Sequence, residues 1–159
     1  MLEYRIRQGI NTLEKSPVIF LIHGYGSHAD DLFSFAPYLP KSHTIIALQA
    51  PLNLSPGGYA WYPLYPKEDG TFTSELEAAW SAVDLLNENI NLLIKKYDLN
   101  SNNISLLGFS QGSILSWALA FSAPKKIRRI VALSGLVHES VSGWLHRGRC
   151  QHGDRDAFE

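Results

Sequence analysis

A short apolar run, Ile104-Ser105-Leu106-Leu107, passes directly into Gly108-Phe109-Ser110-Gln111-Gly112 and then into a helical pattern from about Gln111 to Phe121. No other segment limits the fold as tightly. A strand must hand over to a helix across one serine. Glycine on both sides removes the Cβ atoms that would collide where strand and helix cross. The turn holds the serine in a strained backbone conformation and lifts its Oγ above the sheet edge. The helix N-terminus adds free amide protons and a positive dipole end for an anion forming there. G-x-S-x-G alone arises by chance in roughly one chain in twenty of this length. The strand before it and the helix after it therefore carry the argument. The turn reads as a nucleophile elbow, with Ser110 as nucleophile.

The rest of the chain suits such a turn. Val18-Ile19-Phe20-Leu21-Ile22 is a continuous apolar run, as expected of a strand covered on both faces. A short helix is expected from about Ala29 to Tyr38, and a second strand at Thr44-Ile45-Ile46-Ala47-Leu48. The segment from Pro51 to Thr73 is rich in Pro, Gly and aromatics without a period, so it reads as a long ordered loop. Ser74-Glu75-Leu76-Glu77 has the form of a capping box with Ser74 as N-cap. The helix it opens carries apolar residues at Leu76, Trp80, Val83, Ile90, Leu93 and Tyr97, which predicts one buried face. The helix after Ser110 is small-sided and apolar almost all round, so it is expected inside the core. Ile130-Val131-Ala132-Leu133 is the last clear strand, and Ser134-Gly135 follows. Strands alternating with helices predict an α/β fold with a mostly parallel sheet and helices on both faces.

Composition sets bounds. The chain has 159 residues, 45% of them hydrophobic, and a formal net charge of −1. That suits one domain with one core and gives no electrostatic footprint for nucleic acid or an anionic membrane. No stretch approaches the roughly 18 apolar residues needed to cross a bilayer. The N-terminus lacks the profile of a secretory signal, and the lone Cys150 cannot form an intrachain disulfide. The expectation is a soluble cytoplasmic protein.

An oxyanion hole needs two backbone donors. The first is expected at the amide of Gln111. The second is expected in His23-Gly24-Tyr25-Gly26, after the first buried strand, at the amide of Tyr25. His23 can be read as a base or, by the commoner use of a His in such a loop, as a group that holds the turn.

Taken together these stretches resemble the phospholipase/carboxylesterase family of small α/β-hydrolases, which includes the acyl-protein thioesterases. The resemblance rests on VIFLIHGYGSHADDLFSFAPYLP, Trp61-Tyr62, ISLLGFSQGSILS and IVALSGL, in order, over about residues 16–136. It implies hydrolysis of a small-molecule or lipid ester or thioester by a Ser-His-Asp triad, without metal or organic cofactor. It carries over Ser110 and the amides of Tyr25 and Gln111, and it implies an acyl groove walled by Trp61 and Tyr62. Ordinary packing is the competing reading of those two aromatics.

The match breaks near the end. The family's acid lies in H-G-x-x-D, and His152-Gly153-Asp154-Arg155-Asp156 fits, with Asp156 as acid. The interval from Gly135 is short for the family, however, and no buried-strand pattern precedes the motif. No His follows Asp156. His138 and His146 are the nearby candidates for a general base, and neither stands at the family's position. His146, Cys150 and His152 lack a fourth partner for zinc, so no metal is expected. Residues 1–144 are therefore read as a partial hydrolase core that lacks C-terminal elements, and 145–159 as an atypical tail. A truncation, internal deletion or frame change is the expectation, with an open sheet edge that invites a homodimer. Two alternatives stay open: a fragment that binds ligand or partner without turnover, and another chemistry such as C–C or peptide cleavage.

Overall fold

The computed structural model describes residues 1–10 and 14–135. Its strands β1 (Tyr4–Arg7), β2 (Val18–Ile22) and β3 (Thr44–Leu48) come first, with α1 (Ala29–Phe33) between β2 and β3. Two short ribbons follow, β4 (Leu52–Leu54) with β5 (Gly58–Ala60), and β6 (Tyr65–Pro66) with β7 (Phe72–Thr73). Then come α2 (Leu76–Lys96), β8 (Ile104–Phe109), α3 (Gln111–Ser122) and β9 (Ile127–Leu133). Five strands form the main sheet in the order β1-β3-β2-β8-β9. All neighbours are parallel except β1, which runs antiparallel to β3.

The alternation along β2 explains the layers. Val18, Phe20 and Ile22 face α2 and α3, in one cluster with Leu86, Ile90, Leu93, Leu115 and Leu119. Leu21 faces the other way, with Ile45, Ala47 and Leu107, beneath Ala29 and Leu32 of α1. Both faces of the central strands are thus covered, which is why the run reads as apolar throughout. The α/β fold with helices on both faces holds.

Several expectations need correction. The helix foreseen over Ala29 to Tyr38 stops at Phe33, and a 3-10 turn at Ala36–Tyr38 completes the segment. Pro37 lies inside that stretch and has no N–H to continue the α-helical ladder. Ser74 is not the N-cap of α2. The chain stays extended through Glu75, which takes the cap position, and the first turn closes from Ala79 N–H to the Glu75 carbonyl at 3.2 Å. Helix α3 is not buried all round. Gln111, Gly112, Ser113, Leu115, Ser116, Ala118 and Leu119 are buried, whereas Trp117 is half-buried and stacks on the exposed Phe121. The Pro51–Thr73 loop contains the two ribbons, each too short to show a period. Among the described residues no helix is long and apolar enough to cross a membrane.

Register decides where chemistry can sit. Ile22 pairs with Leu48 on one side and Gly108 on the other, and Phe109 pairs with Leu133. The C-terminal ends of these strands therefore share one sheet edge. From β2 the chain first goes to β3 on one side and later to β8 on the other. The crevice at the C-terminal ends of β2 and β8 is thus a topological switch point, where open α/β sheets bind ligands.

Candidate active site

Ser110 occupies that crevice. It joins β8 to α3 with φ 49° and ψ −113°, a positive-φ conformation that side-chain-bearing residues rarely adopt. Such strain costs on the order of 1–3 kcal/mol and persists only where the surroundings enforce it. Two glycines enforce it here. A Cβ on Gly108 would stand 2.4 Å from the Gly112 carbonyl oxygen, and one on Gly112 would stand 2.0 Å from the Ile22 carbonyl oxygen. Strand, helix and neighbouring strand meet at backbone contact. Ser110 is half-buried and its hydroxyl does not cap α3.

The loop after β2 meets this turn. A Cβ on Gly24 would lie 3.2 Å from each of three atoms: Ser110 Cβ, Phe109 Cδ1 and the Phe109 carbonyl oxygen. Gly24 is thereby placed beside Ser110. Tyr25 is 42% exposed. Among the described residues, neither the Tyr25 N–H nor the Gln111 N–H has a hydrogen-bond acceptor.

His23 is fully buried and its ring holds backbone at both nitrogens. Nδ1 lies 2.8 Å from the Gly24 carbonyl oxygen, and Nε2 accepts the Ala50 N–H at 3.0 Å. An accepting Nε2 places the proton on Nδ1. Burial, only partly opposed by the Gly24 carbonyl, holds the imidazole below its ordinary pKa, so it is neutral. The ring fixes the turn and has no nitrogen left to serve as base. Because the Gly24–Tyr25 peptide is planar and trans, the Tyr25 N–H points away from the carbonyl that His23 holds.

Trp61 and Tyr62 are each 3% exposed and belong to the main core. They offer the site positioned backbone, with little open apolar surface for a groove wall. The Gln111 side chain grips that backbone. Its Oε1 accepts the Trp61 N–H at 2.9 Å and its Nε2 donates to the Tyr62 carbonyl at 2.9 Å. The Trp61 indole Nε1–H donates to the His23 carbonyl at 2.8 Å. Burial pushes the Tyr62 phenol up to about 12, so it stays protonated at neutral pH. The β4–β5 ribbon is tied to the same loop, with Gly26 N–H donating to the Tyr59 carbonyl and Tyr59 N–H to the Ser27 carbonyl.

The other described histidines stand elsewhere. His28 Nδ1 accepts the Asp31 N–H at the start of α1, and His43 precedes β3 at the opposite sheet edge. His138, His146, Cys150, His152 and Asp156 lie outside the described residues. Among the described residues no group of three or more His, Cys, Asp or Glu side chains could hold a metal.

The phospholipase/carboxylesterase family model matches residues 10–149. The chain belongs to this family. Acyl-protein thioesterase 1 of Debaryomyces hansenii is 29% identical to this phospholipase/carboxylesterase member over 164 residues, covering 89% of this chain and 70% of that protein. The Kluyveromyces lactis acyl-protein thioesterase 1 is 30% identical over 128 residues, covering 74% of this chain and 56% of that protein. The crystal structure of esterase PE8 superimposes with a TM-score of 0.78 at 27% identity, over 92% of this chain and 69% of its own. The family and these relatives are carboxylesterases and thioesterases, hence hydrolases.

Sequence reasoning missed three contributors to this family site. Gln49 receives the Ala29 N–H on Oε1 at 2.9 Å and lies against His23 Nε2. Its only sequence signal is a polar residue directly after the apolar run 45–48. Gln111 was expected to contribute through its backbone amide, and its side-chain bonds to the 61–62 backbone were not foreseen. Ser113, fully buried, lies within hydrogen-bond reach of the Gly108 and Leu133 carbonyls at 2.6 and 2.8 Å. A serine inside an apolar helix is its sole trace in the sequence.

Proposed function

We propose that this phospholipase/carboxylesterase chain is a serine hydrolase acting on carboxylic esters or thioesters through an acyl-enzyme on Ser110. One observation carries the reading: Ser110 sits at positive φ where β8 meets α3, with Gly24 in contact beside it. The Ser110 oxygen adds to the acyl carbon as its proton passes to a general base. The carbonyl oxygen takes the negative charge, and the Tyr25 and Gln111 amides stabilise it. Collapse expels the alcohol or thiol with a proton returned by the base. Water then repeats the sequence at the acyl-serine and releases the acid. The mechanism requires an imidazole as base, which neither His23, His28 nor His43 supplies; Asp156, the acid that the family motif implies, lies outside the described residues. The names of the relatives support the thioester as well as the ester class.

The test is a fluorophosphonate probe combined with hydrolysis of a short-chain aryl ester, with Ser110→Ala as control. Labelling at Ser110 and turnover, both lost in the variant, are the expected result. A wild-type chain that is folded and unlabelled overturns the reading. Labelling without turnover leaves an acyl-binding chain in place of an enzyme.

A further inference from the structure

We propose that the Gln111 carboxamide and the Trp61 indole form a positioning clamp that ties the two oxyanion donors to one another. The proposal rests on the reading of the Tyr25 and Gln111 amides given above and adds a role for two side chains that do not touch the substrate.

The path is continuous and buried. It starts at Gln111, whose amide is one donor and whose side chain is 3% exposed. The carboxamide accepts from Trp61 N–H and donates to the Tyr62 carbonyl, both at 2.9 Å. It thus satisfies one donor and one acceptor of the 61–62 backbone. Trp61 continues the path, its indole N–H reaching the His23 carbonyl at 2.8 Å, with the two rings 5.4 Å apart. His23 then holds the Gly24 carbonyl, which sets the plane of the peptide carrying the Tyr25 N–H. Each joint is a directional hydrogen bond shielded from water, so the two donors are held in register before substrate arrives.

The residue type follows from the task. The 61–62 backbone offers one donor and one acceptor in a fixed order. A carboxamide serves both, a carboxylate cannot donate to the Tyr62 carbonyl, and a thioether serves neither. Donors act on an oxyanion only when preorganised at its position, and a displacement of about 1 Å can cost about 100-fold in rate. A clamp that relaxes by a fraction of that distance should slow the chemical step and leave ground-state binding alone.

The test uses the full chain and a fluorophosphonate probe, resolving the inactivation rate at saturation from the probe's apparent affinity. Rates are normalised to the folded fraction measured by circular dichroism. Gln111→Met removes both carboxamide bonds. Trp61→Phe keeps a ring and removes the indole N–H. Each is expected to lower the saturated rate about 10- to 100-fold with apparent affinity within about twofold of wild type. The double variant should be no slower than the slower single variant, because both sit on one path. Saturated rates within about threefold of wild type in folded variants overturn the clamp, as does a loss confined to affinity. Failure of both variants to fold also counts against it, since the contacts would then be structural. An unlabelled wild type, by contrast, removes the serine hydrolase reading itself and the clamp with it.

Discussion

The backbone N–H of Ser110 donates to the carbonyl oxygen of Leu133 at 2.8 Å. This bond extends the β8–β9 pairing one residue into the turn, so β9 helps hold the backbone of Ser110. Ser113 reinforces it from below, its hydroxyl lying between the Gly108 and Leu133 carbonyls. Ser113→Ala deletes a buried donor and leaves the carbonyls with one partner fewer. It is expected to cost about 1–2 kcal/mol in urea unfolding. An unchanged midpoint would show that the hydroxyl contributes nothing to the junction.

Gly112 and Gly24 both face backbone at close range, and the distances separate their fates. A Cβ on Gly112 at 2.0 Å from the Ile22 carbonyl oxygen meets the backbone at the end of β2, which cannot move away from α3 cheaply. Gly112→Ala is expected to cost about 3 kcal/mol or more and to give largely insoluble protein. A Cβ on Gly24 at 3.2 Å asks its neighbours to yield by a few tenths of an ångström. Gly24→Ala should cost under about 1 kcal/mol. Because one neighbour is Ser110 itself, it should still slow fluorophosphonate labelling by about tenfold. Soluble yield, urea midpoint and labelling rate distinguish the two substitutions.

Much of this was legible in the chain because burial writes itself into runs of residues. β2 and β3 are covered on both faces, so their nearly continuous apolar runs mark them with their observed bounds. The strand-to-helix turn at Ser110 was legible because its glycines are demanded by backbone contact. β1 alternates apolar and polar residues but is a four-residue antiparallel edge, too short to announce itself. The ribbons between Leu52 and Thr73 have strands of two or three residues and leave no period. Trp61 and Tyr62 could be read as groove or as core. What places them in the core is the Gln111 carboxamide fifty residues away, a contact that no local pattern encodes. Ser74 shows the limit of motif reading: its capping box is well formed, yet the chain leaving β7 is still extended there.

His23 and His43 make stability depend on pH in a definite direction. Burial holds both imidazoles below their ordinary value of 6.5, and Arg129 and Arg7 add to the effect at His43. Below about pH 6.5 the unfolded chain binds protons that the folded chain refuses. Stability is therefore fully present above that value and is lost as pH falls toward the folded-state pKa values. Each imidazole adds at most about 1.4 kcal/mol per pH unit to the slope. Urea unfolding between pH 5 and pH 8 should show the decline, and His23→Asn should flatten it while lowering stability at pH 8. An identical slope in that variant would mean the buried ring is not a source of the pH dependence.

Positive φ at Ser110 carries a backbone cost that glycine can relieve. Ser110→Ala keeps the Cβ and hence the strain at φ 49°, so its stability should stay within about 0.5 kcal/mol of wild type. Ser110→Gly removes the Cβ that makes this conformation costly. Relief is on the order of 1–3 kcal/mol, offset by about 0.5–1 kcal/mol for the greater freedom of glycine in the unfolded chain. The net gain over alanine is expected near 1 kcal/mol, read as a raised urea midpoint with unchanged slope. Neither variant should label with fluorophosphonate. A glycine variant no more stable than the alanine one would mean that the backbone at Ser110 is not strained by its side chain.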